Sequence, residues 1–161
     1  MPAERDNSDH AVTIRPRRTD DGDAAERILR AVPDWFGIED SLIQYARDVE
    51  RFPTWIADAA GRAIGFVTLH RHFEHAAEIH CIAVVRSEHR RGVGAALIAR
   101  AEAECRAWGV RFLQVKTLGP SRPCEFYDRT RAFYLAQGFT ALEEFPTLWP
   151  GNPCLQLVKR L

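Results

Sequence analysis

The chain has 161 residues, of which 46% are hydrophobic, and this composition suits about one globular domain and excludes a largely disordered chain. Its 22 basic and 22 acidic side chains cancel, so it lacks the broad positive field of a protein that binds nucleic acids or membrane surfaces nonspecifically. No apolar run approaches the ~20 residues of a membrane span, and the polar segment 1–10 does not resemble a secretion signal. We therefore expect a cytoplasmic protein without nucleic-acid or membrane partners.

Neither cysteines nor histidines form a pattern that predicts a metal site. The cysteines lack the C-x-x-C spacing of zinc sites and the density of a disulfide framework, so we expect free thiols at Cys81, Cys105, Cys124 and Cys154. Histidines alternate at 70 and 72 and recur at 75 and 80, but no nearby Asp or Cys completes a ligand set. We expect these imidazoles to line a pocket or its rim, with no metal bound.

Hydrophobic periodicity and turn residues predict strands and helices that alternate along the chain. Strands are predicted at 12–16, 54–59, 63–73, 77–85, 112–118, 139–145 and 154–158, and helices at 24–32, 38–52, 92–109 and 130–137. The first strand contains Pro16, which is typical of a sheet edge. This order predicts a mixed α/β (α+β) fold, with about four helices packed on a largely antiparallel sheet of six or seven strands. We expect a flexible tail at 1–10 and a single domain at 11–161.

The most informative segment is the turn before the long helix, where Gly92 and Gly94 open the helix directly after a strand. The first N–H groups of a helix have no partner inside it and the helix dipole adds positive potential, so such a turn suits a phosphate group. Arg86, Arg90 and Arg91 add fixed positive charge. An ordinary turn with solvated arginines would have the same sequence. A Rossmann fingerprint and a Walker loop are excluded, because their remaining residues are missing.

Two motifs in this chain resemble those of one enzyme family. The segment His89-Arg90-Arg91-Gly92-Val93-Gly94 is similar to the coenzyme A loop of the GCN5-related N-acetyltransferases (GNATs), written [QR]-x-x-G-x-[GA], with His89 at the first position. Residues 132–139, AFYLAQGF, resemble the family's recurrent element that ends in F-Y-x-x-x-G-F. The order of elements from about residue 13 to residue 159 also matches the family core. The resemblance implies the GNAT fold, acetyl-CoA as acyl donor and an amine acceptor, without a metal.

The resemblance also implies how the donor is bound. Main-chain amides of the loop would hold the pyrophosphate, and the preceding strand would pair its main chain with the pantetheine arm as an added strand. The residues implied are Ile82, Ala83, Val84, His89, Arg90, Arg91, Gly92, Val93, Gly94 and Ala95. Tyr127 stands where relatives often have an asparagine that contacts the pantetheine.

Direct acetyl transfer to an amine needs a base, donors for the developing oxyanion and a proton for the leaving thiolate. Strand alternation predicts that Glu78, His80 and Ile82 share one face and that Cys81 faces away, which makes a covalent cysteine route the weaker mechanism. The stretch around Glu78 resembles that of the histone-acetylating branch, in which a glutamate serves as general base. Glu78 is therefore our first candidate for the base and His80 the second. A strand-end carboxylate in water is the other interpretation of Glu78.

Tyr134 matches the tyrosine that lies near the thioester sulfur in many GNATs. A phenol ordinarily has a pKa of about 10 and a thiol one of ~8.5, so Tyr134 could donate a proton to the leaving thiolate. The alternative is a core aromatic side chain on the last helix. A backbone N–H, that of Ile82 or Ala83, would meet the oxyanion.

Two further segments are candidates for the acceptor site. Residues 34–36 and 39–40 lie between the first two helices, and their acidic and aromatic side chains would suit a cationic amine, although a helix-capping cluster explains them equally well. Residues 147–152 could cover the site from the other end or form a subunit contact.

These observations predict a single-domain, acetyl-CoA-dependent N-acetyltransferase that acts on a primary amine by direct transfer. Small metabolites, antibiotics, peptide N-termini and protein lysines are all compatible acceptors. The rival hypothesis is a non-catalytic acyl-CoA sensor or protein-interaction module, since fold does not determine function. The protein would be a monomer or a homodimer.

Overall fold

The computed structural model describes residues 11–161, which form one seven-stranded sheet and four α-helices. The tail predicted at 1–10 lies outside the described residues. Between 11 and 161, no helix is both long enough and apolar enough to cross a membrane. In chain order the elements are β1 (Val12–Pro16), α1 (Asp21–Arg30), α2 (Glu39–Arg51), β2 (Thr54–Ala59), β3 (Arg62–Phe73), β4 (Ala76–Val84), α3 (Val93–Ala107), β5 (Phe112–Leu118), α4 (Glu125–Ala136), β6 (Thr140–Trp149) and β7 (Asn152–Arg160).

The sheet has the strand order β1-β2-β3-β4-β5-β7-β6. All neighbouring strands are antiparallel except β4 and β5, which are parallel and are connected by α3. A parallel pair needs such a crossover, whereas antiparallel neighbours can be joined by short turns. The predicted mixed, largely antiparallel sheet with four helices is confirmed, and β1 lies at the predicted edge.

Apolar side chains on the two faces of the sheet form two separate cores. On one face, α1 and α2 pack on β2, β3 and β4 around Ile28, Leu29 and Phe66, which are fully buried. On the other face, α3 packs around Leu97 and Ile98, and this core extends to α4 through Tyr134. Because helices cover both faces, the central strands of the sheet are buried and held in place. The site is formed by these strands.

A β-bulge at His80 changes which side chains of β4 share a face. Ile79 and Cys81 pair with consecutive residues of β3, so His80 is an extra residue on β4. An extra residue interrupts the strict alternation of side chains. Cys81 therefore packs in the core under α1 and α2, while Ile82 packs against the core on the α3 side. The prediction that Ile82 shares the face of Glu78, with Cys81 opposite, is wrong for this reason.

The two largest differences between predicted and observed element boundaries lie in α4 and β6. The last helix begins at Glu125 instead of residue 130, and its first turn contains Glu125 and Asp128, whose charges suit a helix N-terminus. The strand β6 continues to Trp149 instead of ending at residue 145. It includes Pro146, which is tolerated there because β6 forms the second edge of the sheet.

Candidate active site

A cleft of about 1380 Å³ opens at the carboxyl ends of β4 and β5. Pairing between these strands ends at Ile79 and Val115, so the two strands separate beyond these residues. The walls come from the α1–α2 connection, β4, the start of α3, β5, α4 and the β6–β7 turn. The helix-opening turn and the F-Y segment, which are far apart in the chain, therefore line the same cleft.

The start of α3 has an open backbone that leaves its first N–H groups accessible. Arg90 has φ +62° and Gly92 has φ +80°, so the turn uses the left-handed backbone conformation twice. A Cβ added to Gly92 would meet no heavy atom within 4 Å, which leaves the helix start open. Within residues 11–161 no side chain caps this helix, and its first residues line the cleft. Their N–H groups are thus available to a phosphate group.

The predicted donor-binding residues come together at this cleft, and all of them except Arg91 line it. The His89 Nε2–H donates to the Val84 carbonyl over 2.7 Å, so the imidazole fixes the end of β4 next to the helix start. Arg91 is exposed and lies 3.5 Å from the Glu88 carboxylate. Arg90 makes no ion pair with any described residue, so its charge is not neutralised at the helix start.

Tyr134 lies at the junction of the cleft and the α3 core. The residue is 5% exposed, contacts Phe133 and Phe139, and lines the cleft. In the described part of the chain its hydroxyl has no hydrogen-bond partner. Burial raises the pKa of this phenol well above its usual value. Tyr134 therefore keeps its proton at neutral pH, and the raised pKa makes this phenol a weaker acid than an exposed tyrosine.

His80 lines the same cleft, and a buried carboxylate holds its ring. The His80 Nε2–H donates to Asp48 Oδ2 over 2.8 Å, and Asp48 also accepts a hydrogen bond of 2.9 Å from the Gln44 amide. The Tyr45 ring packs edge-on against the imidazole, with 5.4 Å between centroids. With the proton on Nε2, the neutral ring has its free lone pair on Nδ1, which can accept a proton.

Glu78 is held behind another side chain and does not line the cleft. It is 8% exposed, and its oxygens accept hydrogen bonds from His72 Nε2 at 2.7 Å and from Lys116 Nζ at 3.1 and 3.2 Å. Lys116 itself lines the cleft. The structure thus brings His80 and Tyr134 to the cleft and places Lys116 between the cleft and Glu78.

All four cysteines are free thiols, and two of them, Cys81 and Cys124, line the cleft. Cys81 is buried, and burial raises the pKa of its thiol. Because a thiolate is the nucleophilic form, this environment disfavours a covalent route through Cys81, even though Cys81 is on the face of Glu78. Within residues 11–161, no group of three His, Cys, Asp or Glu side chains is arranged to hold a metal ion.

The α1–α2 connection is fastened to α4 across one side of the cleft. The Trp35 indole N–H donates to Thr130 Oγ1 over 2.9 Å, and the Tyr127 hydroxyl donates to the Trp35 carbonyl over 2.6 Å. Tyr127, at the position where relatives often have asparagine, thus joins α4 to the α1–α2 connection by a hydrogen bond. The mouth of the cleft has a defined shape as a result.

Two of the three acidic side chains that the sequence suggested for a cationic acceptor are paired with arginines. Asp34 lies 2.7 Å from Arg86 Nη2, and Glu39 lies 2.7 Å from Arg30 Nη2. The Arg30 guanidinium holds the pKa of the Glu39 carboxyl below its usual value. These two carboxylates therefore serve as local ion pairs.

Sequence reasoning missed three residues of the site. Asp48, which orients His80, lies three residues after Tyr45 on the apolar side of α2. A charged residue on the apolar side of a predicted helix is unusual, and this signal could have identified Asp48 from the sequence. Lys116 and Arg122 line the cleft from β5 and from the loop that follows it. No sequence signal identifies either of them, because their positions depend on contacts between distant segments.

The buried tyrosines should make stability fall at high pH. Burial raises the pKa of Tyr45 and Tyr127 to about 12, above the ordinary value of about 10. The unfolded chain then loses these protons first, so the free energy of unfolding should fall as the pH rises from about 10 to 12. Urea unfolding followed by circular dichroism checks this, and Tyr127→Phe should lessen the fall. Tyr134 and the Cys81 thiol, whose pKa values burial also raises, should add to the fall. Unchanged stability over this range would contradict the prediction.

The fold, with β4 and β5 separating beyond their paired residues, is typical of one class of proteins. Comparison with known proteins identifies this class. The Acetyltransferase (GNAT) family model matches residues 23–139. The chain belongs to this GNAT acetyltransferase family. No curated protein sequence is significantly similar to it.

Solved structures support the same fold at low sequence identity. A GNAT-family protein from Desulfovibrio desulfuricans has 20% identity and a TM-score of 0.82 over 93% of this chain and 99% of that one. The ribosomal-protein-S18-alanine N-acetyltransferase from Escherichia coli has 20% identity and a TM-score of 0.75 over 93% and 94%. A GNAT family acetyltransferase from Elizabethkingia anophelis, with acetyl-CoA bound, has 16% identity and a TM-score of 0.71 over 93% and 98%.

Proposed function

We propose that this protein is an N-acetyltransferase that moves the acetyl group of acetyl-CoA directly to a primary amine of a small molecule or peptide. The observation that carries the proposal is one cleft that combines an uncapped, glycine-led helix start, the His80–Asp48 pair and the Tyr134 hydroxyl. Membership of the GNAT family supports acetyl transfer, and a structural neighbour has acetyl-CoA bound.

The cleft fits the donor in charge and in backbone geometry. The open helix start at Gly92 and the unpaired Arg90 would hold the pyrophosphate. Beyond Ile79, β4 has no β5 partner, so the main chain of Ile82 to Val84 would bind the pantetheine arm by strand addition. Acetyl-CoA supplies the acetyl group as an activated thioester.

His80 is the base in this proposal, with Asp48 as a positioning residue. The amine nitrogen must lose a proton as its bond to the acetyl carbon forms, and His80 Nδ1 would take that proton. Asp48 accepts from Nε2–H, which fixes the tautomer and would stabilise the imidazolium that results. Glu78 also stays a candidate, but its hydrogen bonds to His72 and Lys116 favour a supporting role.

Tyr134 is the acid in this proposal. When the bond between the acetyl carbon and sulfur breaks, the phenol would give its proton to the thiolate, which leaves as free CoA. A main-chain N–H of Ile82 or Ala83 would donate to the developing oxyanion. The bond between nitrogen and the acetyl carbon forms as the bond between that carbon and sulfur breaks. The amine proton goes to His80, and the thiolate receives its proton from Tyr134.

The experiment that tests the function has two parts on the same protein sample. Calorimetric titration with acetyl-CoA measures donor binding, and a thiol reagent measures CoA release in the presence of a panel of amines. We expect binding and amine-stimulated CoA release. Absence of binding would overturn the proposal, whereas binding without stimulation by any amine would support an acyl-CoA sensor.

Replacement of the proposed acid should slow turnover without weakening donor binding. Tyr134→Phe removes only a hydroxyl that has no partner among the described residues, so the fold should tolerate it. We expect kcat to fall by about 100-fold, because the thiolate loses its proton donor. The Kd for acetyl-CoA should stay close to that of the wild type in calorimetry. Unchanged kcat would refute the acid role of Tyr134.

A further inference from the structure

The charges that line the cleft favour one class of acceptor amine. Among the lining residues of the described chain, Glu88 is the only Asp or Glu, and it lies 3.5 Å from Arg91. Asp34 and Glu39, near the same mouth, are paired with Arg86 and Arg30, and Asp40 does not line the cleft. A polycationic amine would therefore find no free carboxylate in the cleft.

In contrast, two lining cations, Arg90 and Arg122, have no acidic partner among the described residues; Arg90 lies at the start of α3, and Arg122 lies in the loop after β5 and has an unused hydrogen-bonding edge. Arg122, in the loop between β5 and α4, donates through Nη1 to the Gly151 carbonyl over 3.0 Å and to Asn152 Oδ1. No acidic side chain of residues 11–161 lies within ion-pair distance, and the Arg122 Nε and Nη2 have no partner there. The Nε–Nη2 edge of a guanidinium matches the two oxygens of a carboxylate.

The rest of the acceptor side is apolar and aromatic. Phe36, Leu42 and Tyr45 line the cleft on the α1–α2 side, and the Phe36 and Tyr45 rings pack edge-on at 5.9 Å. Tyr45 also contacts the imidazole of His80. An apolar body would therefore lie next to the base.

We infer that the acceptor is a small primary amine with an apolar or aromatic body that also carries a carboxylate, as an apolar amino acid does. This inference rests on the proposed acetyltransferase function. The His80 end of the cleft would take the amine, the aromatic wall its body, and the free edge of Arg122 its carboxylate.

Matched acceptors test the inference. Phenylalanine and leucine are compared with phenylalaninamide, leucinamide and spermidine by CoA release. We expect kcat/KM for each acid to exceed that for its amide by about tenfold or more, since a charge-assisted pair is lost in the amide. The amide has the less basic amine, which favours its neutral form and opposes the expected result. Equal or better use of the amides or of spermidine would overturn the inference.

Arg122→Gln tests the residue, and Arg129→Gln is the matched control because Arg129 also lines the cleft but is paired with Glu125. We expect Arg122→Gln to raise KM for the acids about tenfold, with little change for the amides. The control should keep the preference for acids, and Arg122→Gln should leave the Kd for acetyl-CoA unchanged. Weakened acetyl-CoA binding in Arg122→Gln would instead assign Arg122 to the donor and overturn the inference.

The two proposals fail in different ways. If the wild type does not bind acetyl-CoA, the acetyltransferase function and the acceptor class are both overturned. If it binds acetyl-CoA and acetylates amides or spermidine as well as the acids, only the acceptor class is overturned. Binding without acetylation of any carboxylate-bearing amine overturns the acceptor class as well.

Discussion

Gly92→Glu should lower acetyl-CoA affinity by at least about 100-fold, because it places a negative charge and a side chain where the pyrophosphate would bind. The structure has room for this side chain, since a Cβ at Gly92 would contact no heavy atom within 4 Å. The protein should therefore fold, and the loss should come from repulsion and obstruction at the helix start. Calorimetric titration of both proteins with acetyl-CoA measures the difference.

Gly61→Glu is the matched control for this change. Gly61 has φ +79°, close to the φ +80° of Gly92, and its Cβ position is equally open, but it lies in the turn between β2 and β3. Both variants should lose about 1–2 kcal/mol of stability from the left-handed conformation. Only Gly92→Glu should lose donor affinity. Equal affinities in the two variants would show that the helix start does not bind the pyrophosphate.

His80→Gln should lower kcat by about 100-fold or more, because the amine then loses its proton acceptor. The substitution keeps a side chain that can donate to Asp48, so the buried carboxylate is not left alone. Donor affinity should change little, since His80 lies apart from the helix start. Steady-state kinetics with a saturating amine, together with calorimetry, separates the effect on turnover from the effect on binding.

Two control variants separate the base from its neighbours. His70 does not line the cleft, and its imidazole centroid lies 6.2 Å from that of His80. We expect His70→Gln to leave kcat close to the wild-type value. Glu78→Gln removes the charge that holds Lys116, and we expect a smaller loss of kcat than in His80→Gln. If Glu78→Gln caused the larger loss while circular dichroism showed an intact fold, Glu78 would be the base.

Local sequence patterns were sufficient for most of the fold. The strands at 54–59 and 112–118 are where alternation and turn residues predict them, and α3 follows the glycine turn as expected. These elements depend on periodicity and on glycine conformations, which neighbouring residues determine. For the same reason the start of α3, where the loop motif lies, could be identified from the sequence alone.

The arrangement of the candidate catalytic side chains required the tertiary structure. The bulge at His80 arises from the pairing of β4 with β3, so strand alternation alone predicted the wrong faces for Cys81 and Ile82. Asp48 and His80 are 32 residues apart, and Glu78 and Lys116 are 38 apart. Hydrogen bonds across such separations form only once the helices and strands have packed, and no local pattern encodes them.

The sequence by itself thus determined the order of the elements, the glycine turn before α3 and the resemblance to the GNAT family, because each depends on residues that are close in the chain. Only the tertiary structure decided which titratable groups reach the cleft. It placed His80 and Tyr134 in the cleft, held Glu78 behind Lys116, and left one edge of Arg122 free. The physical reason is that burial and pairing depend on surfaces that come together only when the two faces of the sheet are covered.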